Sequence, residues 1–357
     1  MGLGAAKVYI MKKFFVSLVM LLSLSAANVF AQSSLIATLS HEGEVTVFYG
    51  ADALKESYAK AVGGDVITLS SGSFNAINIA KAITLRGAGM AMDSVNNIMP
   101  TILNGDFTIS ESDSIHSLTL EGLYHNHTMK YSGTIESAQF IRCRFNIITG
   151  SSSNKLSNCS FLNCRISQEF HCLGYGNMFY NSIVEDISFS WINNFGKWND
   201  CLGSGSFYNC VINIDLRNPS TMYPGSSSFE NCILIYDASS VILPKGTSAY
   251  NCLVVGTTND IFSDVPNNTN KVVSLYNDVF KTYKTMASIA GNDDETFELT
   301  DAAKTKYLGL DGTQVGIYGG AIPYTTSVAI PKITKCNVAA KSTVDGMLSV
   351  DIEVSAE

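Results

Sequence analysis

Phe207-Tyr-Asn-Cys210 is one copy of a four-residue motif that recurs through the middle of the chain. The motif consists of an aromatic or aliphatic residue, a spacer, Asn and Cys. Complete and degenerate copies occur at Phe140-Ile-Arg-Cys143, Phe161-Leu-Asn-Cys164, Phe179-Tyr-Asn-Ser182, Phe229-Glu-Asn-Cys232, Ala249-Tyr-Asn-Cys252 and Leu275-Tyr-Asn-Asp278. Measured at the fourth residue, successive copies lie 18 to 28 residues apart. A repeat of this length, built from short strand-like pieces, is typical of a solenoid.

The residues from Cys210 onward alternate as expected for a β-strand with one buried face. Cys210 and Ile212 are predicted to point into the solenoid, and Val211 and Asn213 to point outward. Asn209 suits the bend before them, because Asn tolerates the left-handed backbone conformation. Asparagines stacked in successive coils can also bond to one another along the axis. The sequence therefore predicts an asparagine ladder beside a core of Cys and aliphatic residues.

The chain contains nine cysteines, a number that in an exported protein ordinarily indicates disulfides. The repeat favours another interpretation, in which Cys fills the same buried position in successive coils as a small hydrophobic residue. Parallel strands lie about 4.8 Å apart, but side chains in register point the same way and seldom reach the dihedral angle of a disulfide. We therefore expect a ladder of reduced thiols, with bridged pairs as the alternative.

Residues 1–31 have the pattern of a secretory signal peptide. Met11 is followed by two lysines, an apolar run and small residues that end at Ala31. We expect Met11 to be the true start and the exported chain to begin at Gln32. Removing residues 1–31 takes away three lysines and no acidic residue, which moves the formal charge from −8 to about −11.

The acidic charge and the targeting pattern limit the location and the partners. Nucleic-acid binding is disfavoured, because it depends on Lys and Arg that neutralise phosphates. No segment after the signal peptide reaches the roughly 18 apolar residues that a membrane span needs. We expect the protein to be secreted, periplasmic or on the outer cell surface of a Gram-negative bacterium.

Both ends of the repeat region carry segments that suit caps. Residues 53–62 have a helical spacing of apolar residues and are followed by Gly63-Gly64-Asp65, which ends a helix. Such a helix would cover the open end of a solenoid. At the other end, residues 333–338 and 347–354 alternate like two strands around a turn at Ser342–Gly346, which predicts a β-hairpin.

These observations predict an all-β protein: a single-stranded right-handed parallel β-helix with an N-terminal capping helix and a short C-terminal β hairpin or cap. The hand follows from the strong right-handed preference of connections between parallel strands. The predicted divisions are a signal peptide at residues 1–31, the β-helix with its N-terminal cap at residues 32–320, and a C-terminal β extension or cap at residues 321–357.

After the predicted helix, the first coil contains Val66-Ile-Thr-Leu69, Ser71-Gly-Ser-Phe74 and Ile83-Thr-Leu-Arg-Gly-Ala-Gly89. This order resembles the N-terminal start of the pectin-lyase-like right-handed β-helix superfamily, and the resemblance covers about residues 45–290. It implies the fold and leaves the activity open, because the superfamily includes lyases, hydrolases, esterases and adhesins. Asp311–Gly320 is similar to the closing segment of secreted Bacteroidetes β-helix proteins.

The resemblance implies a site on an outward sheet face, where active members of the superfamily act on polysaccharides. The Gly-His-Gly and Arg-x-Lys signatures of its polygalacturonase-like members are missing. Acidic residues and one arginine near equivalent outward positions are the candidate catalytic residues: Glu169, Glu185, Asp215, Asp237 and Arg217. Asp215 and Asp237 belong to consecutive coils and are candidate Ca²⁺ ligands, because stacked carboxylates repel unless a proton or cation intervenes. The alternative, which we favour, is a solvated surface without a cofactor.

Two further groups attract attention. His125-Asn-His127 has metal-binding residue types but no third ligand nearby, so we expect a solvent-exposed loop. Trp191 and Trp198 fall in the longest step of the repeat, where a coil is predicted to bulge into a loop. They are candidates for stacking on sugar rings, with packing of the loop against the solenoid as the alternative.

The sequence favours an exported, non-catalytic β-helix protein with a surface binding or display role, and a glycan is the expected ligand. The alternative is a polysaccharide lyase or glycoside hydrolase acting on the outer face of the β-helix. A subunit of a larger surface assembly is a third interpretation, and the sequence leaves the oligomeric state open.

Overall fold

The computed structural model describes residues 35–94, 98–110, 117–151, 154–170, 174–184, 205–214, 227–236, 248–258, 269–282, 296–326, 332–338 and 350–355. It contains two helices, α1 (Ala53–Lys60) and α2 (Asp301–Lys306), and a 3₁₀ turn at Tyr276–Asp278 within these residues. The strands are β1 (Ile36–His41), β2 (Glu44–Tyr49), β3 (Val66–Leu69), β4 (Gly72–Asn75), β5 (Thr84–Arg86), β6 (Thr101–Asn104), β7 (Phe107–Ser110), β8 (Thr119–Glu121), β9 (Leu123–Ser132), β10 (Thr134–Glu136), β11 (Gln139–Ile141), β12 (Arg144–Gly150), β13 (Lys155–Ser157), β14 (Ser160–Leu162), β15 (Arg165–Phe170), β16 (Asn177–Tyr180), β17 (Ile183–Val184), β18 (Gly205–Tyr208), β19 (Val211–Ile214), β20 (Ser228–Glu230), β21 (Ile233–Tyr236), β22 (Ser248–Tyr250), β23 (Leu253–Val255), β24 (Lys271–Val273), β25 (Lys332–Val338) and β26 (Val350–Ser355).

The strands form a parallel β-solenoid of about seven turns, and the predicted all-β, right-handed parallel β-helix is confirmed. Sheet A runs in the order β2-β1-β3-β5-β8-β11-β14-β16-β18-β20-β22. Sheet B runs in the order β24-β23-β21-β19-β17-β15-β12-β9-β6-β4, with β7 paired to β9. A third, two-stranded sheet joins β10 and β13 within the described residues. Each coil therefore contributes one short strand to each broad sheet.

The motif places one aromatic residue of each coil in the same column of the core. Phe161 pairs in register with Phe140 on one side and with Phe179 on the other. The ring centroids of Phe161 and Phe179 lie 4.5 Å apart and nearly parallel, and those of Phe179 and Phe207 lie 4.6 Å apart. Phe229 continues the stack, and Ala249 occupies the next position. A continuous aromatic column therefore runs along the inside of sheet A.

The Asn of the motif adopts the predicted left-handed backbone. Asn163, Asn181, Asn209, Asn231 and Asn251 have φ between 45° and 55°. The side chain of Asn181 does not continue the ladder to a neighbouring Asn as expected, because both hydrogens of its amide go elsewhere. They are donated to the carbonyls of Ile317 and Gly319 at 2.8 and 2.7 Å.

The Cys of the motif fills the predicted buried position as a free thiol. Six cysteines in the described residues are buried and unbridged. The thiol of Cys164 donates to the carbonyl of Phe140 in the preceding coil at 3.2 Å, and that of Cys232 donates to the carbonyl of Phe207 at 3.3 Å. The hydroxyl of Ser182 makes the same bond to Phe161 at 3.2 Å. In these coils the position is filled by a small side chain that donates a hydrogen to the preceding coil.

The predicted copy of the motif at residues 275–278 is wrong. Leu253, which follows Cys252, pairs in register with Lys271, so Asn270 occupies the position equivalent to Cys252. The Asn270 amide oxygen also accepts from the backbone N–H of Cys252 at 2.8 Å. Residues 276–278 form the 3₁₀ turn instead, after the last coil strand.

The predicted N-terminal capping helix is α1, which packs against β1, β2, β3 and β4. Leu54 and Ala53 are buried on its inner side. Beyond the helix, β1 and β2 extend sheet A by an antiparallel hairpin. β2 is therefore the outermost strand of the sheet at this end.

Residues 296–326, which we call the strap, run back along the outside of sheet B. The outward residues of four successive sheet B strands are buried beneath it: Ile183, Val211, Ile233 and Leu253. They form a second apolar cluster with residues from the strap and from the segment just before it: Val279, Phe280, Phe297, Leu299, Val315 and Ile317. Val211 thus points out of the solenoid as predicted, but it is covered and not solvated.

The predicted C-terminal hairpin is present as the antiparallel pair β25 and β26. Its register sets Val338 opposite Val350 and Cys336 opposite Ile352.

Candidate functional site

The predicted acidic column lies almost wholly outside the described residues. Glu185, Asp215, Arg217 and Asp237 are outside them, as are Trp191 and Trp198. Glu169 lies in β15, where its backbone is in register with Ile147 of β12. The catalytic, Ca²⁺ and sugar-stacking assignments for these residues therefore stay predictions.

The predicted exposed loop at His125-Asn-His127 is wrong, because both histidines lie in strand β9. His125 is fully buried against Phe107, with ring centroids 4.7 Å apart, and its Nε2–H donates to the carbonyl of Gly105 at 2.9 Å. Burial lowers the pKa of His125, so the ring is neutral near pH 7. His127 is exposed beside Asn104. No group of three or more His, Cys, Asp or Glu suited to a metal occurs in the described residues.

The outer face of sheet A carries a column of small hydroxyl side chains in the C-terminal half of the solenoid. The strand register aligns Ser160, Met178, Ser206, Ser228 and Ser248 across five consecutive strands. The hydroxyl of Ser228 donates to that of Ser206 at 3.0 Å. The serines are part-exposed, so the column offers donors and acceptors to a ligand on the surface.

A column of tyrosines runs beside the hydroxyl column on the same face. Tyr180 and Tyr208 stack with their ring centroids 5.1 Å apart and an interplanar angle of 11°. The next strand has Glu230 at this position, and the strand after it has Tyr250, which is 42% exposed. We call the two columns together the hydroxyl–tyrosine face. The spacer of the motif supplies the tyrosines, so the signal for this face was in the repeat itself.

In the N-terminal half of the solenoid, the positions that align with the tyrosine column carry charged residues. Glu121 accepts from Nε of Arg86 at 2.7 Å and also from the guanidinium of Arg142. Burial raises the pKa of Glu121, but the hydrogen bonds from the two arginines outweigh it and hold the pKa below its usual range. The carboxylate is therefore ionised and paired near neutral pH, which suits a structural role.

The buried thiols of Cys143 and Cys159 are not suited to nucleophilic chemistry. Burial raises the pKa of Cys143 to about 12 and that of Cys159 to about 11. Because the thiolate is the reactive form, these groups are inert near neutral pH.

The outer face of sheet B offers less open surface. Over its C-terminal strands the strap covers the face, and the N-terminal strands expose Tyr124 and Arg144, whose guanidinium lies 4.6 Å from the Tyr124 ring. Arg165, the next residue in this column, is only 6% exposed. The hydroxyl–tyrosine face is therefore the more open candidate surface.

No family model, curated protein or solved structure matches this chain. No helix in the described part of the chain is long and apolar enough to cross a membrane.

Proposed function

We propose that this chain is an exported, non-catalytic β-helix protein of the pectin-lyase-like superfamily that binds a glycan at the hydroxyl–tyrosine face. The observation that carries the proposal is the alignment of a tyrosine column with a hydroxyl column on one exposed sheet face. Export from a Gram-negative bacterium, to the periplasm, the cell surface or the medium, is supported by the signal-peptide pattern of residues 1–31. The likeness of Asp311–Gly320 to secreted Bacteroidetes β-helix proteins supports the same origin.

The chemistry of the two columns suits sugar rings. A sugar presents C–H groups on its ring faces and hydroxyls at its edges, and tyrosine combines an apolar ring with a polar hydroxyl. The serine hydroxyls can both donate to and accept from sugar hydroxyls without the cost of burying a charge. Glu230 is the acidic residue within this stretch of the tyrosine column, so a neutral glycan fits better than an acidic one.

The test is binding of the purified exported chain to a panel of neutral and uronic polysaccharides. Tyr208→Ala and Tyr250→Ala are each expected to weaken binding about 2- to 10-fold, because an aromatic contact contributes about 0.5–1.5 kcal/mol. Tyr175→Ala is the matched control, because Tyr175 is 56% exposed but precedes the column. Equal losses for all three variants, or no binding to any glycan, would contradict the proposal.

The same panel separates binding from catalysis. A binding protein leaves the polysaccharide intact after long incubation. New reducing ends or unsaturated products, abolished by Asp215→Ala, would instead establish a glycoside hydrolase or a lyase. In that case the predicted acidic column of Glu169, Glu185, Asp215 and Asp237 would be the site.

A further inference from the structure

The outermost strand of sheet A exposes an apolar row. In β2, Val45 is 62% exposed, Val47 is 42% exposed and Tyr49 is 65% exposed, while Phe48 points inward and is buried. β2 is hydrogen-bonded to β1 along one side, and in the described part of the chain the sheet ends at its other side. The strand therefore presents both unpaired backbone groups and apolar side chains.

Soluble proteins normally protect such an edge. They place Lys, Pro or a β-bulge in the outermost strand, or cover the strand with another segment, because a bare edge pairs with other chains. β2 contains no Lys or Pro, and its register with β1 is continuous from Ile36 opposite Tyr49 to His41 opposite Glu44. The helix α1 packs near this strand, yet Val45, Val47 and Tyr49 stay exposed. The edge is thus built for pairing.

The sequence of β2 is compatible with antiparallel pairing to itself in one register that pairs all three of its exposed apolar residues. Opposite residues of an antiparallel pair lie on the same sheet face, so a register that preserves the faces must be centred on a residue of the strand. Centring on Val47 sets Val45 opposite Tyr49 and Val47 opposite its own counterpart. It also sets Glu44 opposite Gly50, so the two carboxylates are kept apart. The exposed row then becomes three apolar cross-strand pairs.

We propose that β2 pairs antiparallel with β2 of a second copy of this chain, around a two-fold axis that passes midway between the two Val47 residues. The axis is perpendicular to the sheet, because the register keeps the outward residues of both copies on one side. Sheet A is then continuous across the dimer, and such a self-complementary contact closes after two copies. The hairpin of β25 and β26 is a weaker candidate partner, because its two strands already pair with each other.

The register makes a sharp prediction for cysteine crosslinking. Directly opposite Cα atoms in an antiparallel pair lie about 4.5–5.5 Å apart, within the range of a disulfide. Val47→Cys is therefore expected to form a covalent dimer on mild oxidation. Val45→Cys is the matched control, because in this register the two Val45 positions are four residues apart along the strand, about 13 Å. The double variant Val45→Cys with Tyr49→Cys is expected to restore the crosslink.

Sizing of the uncrosslinked protein completes the test. The wild-type chain is expected to have twice the mass of one copy, and Val47→Lys is expected to raise the dimer dissociation constant at least about tenfold, because Lys at an edge opposes pairing. Ser40→Lys is the control on the same face but one strand away from the edge. A thermal melt of each variant checks that the fold is retained.

Three results would overturn the proposal. The first is a wild-type chain that stays monomeric, with no crosslink at Val47→Cys. The second is a dimer in which Val45→Cys crosslinks as readily as Val47→Cys, because the contact would then lie in another register or surface. The third is a monomer in which deletion of residues 327–357 increases labelling of Val47→Cys by a thiol reagent, because the chain's own hairpin would then cover the strand.

Discussion

The outer faces of the two broad sheets carry opposite kinds of residue, although the same coils build both. In one coil, Ser228 and Glu230 point outward from sheet A, while Ile233 and Ile235 point outward from sheet B. Sheet A stays open to solvent on this side, whereas the strap covers sheet B and buries both isoleucines. In this coil, the residue type at the outward positions of sheet B therefore depends on the strap, which comes about 60 to 90 residues later in the sequence. The repeat determines which residues form the core inside the solenoid. The strap determines that the outer face of sheet B, and not that of sheet A, becomes part of a second apolar core.

Introducing a carboxylate on each outer face is expected to give the largest difference in stability between the two sheets. Ile233→Asp places an unpaired carboxylate beneath the strap and is expected to lower the free energy of unfolding by about 4 kcal/mol or more. Ser228→Asp, in the same coil but on sheet A, is expected to cost less than about 1 kcal/mol. Urea unfolding followed by circular dichroism measures both. Similar costs for the two variants would show that the strap does not bury the sheet B face.

The hydrogen bonds from Asn181 to the strap are expected to have a smaller effect on stability. Asn181→Ala loses two side-chain bonds to strap carbonyls and also strains a left-handed residue. Asn251→Ala introduces the same strain without the loss of those two bonds. We expect Asn181→Ala to cost about 1–3 kcal/mol more than Asn251→Ala. Thermal unfolding of the two variants gives the difference directly. Equal melting temperatures would mean that the strap is held by its apolar contacts alone.

The charge network on sheet A gives the smallest effect and a pH dependence. Since the pKa of Glu121 is lowered in the folded protein, its contribution to stability is present above the unfolded value and is lost as pH falls through the folded value. Glu121→Gln is expected to cost about 1–2 kcal/mol at pH 7 and to converge with the wild type at low pH. Unfolding measured from pH 7 down to acid gives both curves. Curves that stay parallel over this range would contradict a paired, ionised Glu121.

Much of the inside of the solenoid is predictable from the sequence, because each coil repeats the same local physics. The motif predicted the left-handed Asn and the buried Cys, which depend only on neighbouring coils. Its aromatic position also forms a column, which was not predicted from the sequence. The last copy failed at Asp278, because Asn270 offers the same hydrogen bond to the backbone of Cys252 without matching the motif. A residue outside the motif can therefore fill the motif's Cys position when its side chain makes an equivalent hydrogen bond.

The outside of the solenoid was harder to predict, because it depends on contacts between distant residues. Period-two alternation predicted an outward position at Val211 but not what covers it, because nothing local indicates that Ile317 lies in the same apolar cluster. A signal was nevertheless present, since Leu253-Val254-Val255 is a continuous apolar run of the kind typical of a strand buried on both faces. The tyrosines of the hydroxyl–tyrosine face were also visible, as the spacer of the motif. His125 was assigned to an exposed loop because no third metal ligand lies nearby in the sequence, whereas its hydrogen-bond partner is a backbone carbonyl in the neighbouring coil.

The strap also limits the number of coils that the solenoid can contain beneath it. Solenoids can gain or lose whole coils by duplication, because each coil contacts only its neighbours. Here one continuous segment binds three coils in order. The backbone N–H of Leu310 donates to Asn231, and the amides of Asn181 and Asn163 donate to the carbonyls of Ile317 and Pro323. An added coil between Asn163 and Asn231 would shift the two ends of this series by about 4.8 Å relative to each other. The length of the strap therefore sets how many coils lie beneath it, which a repeat alone cannot do.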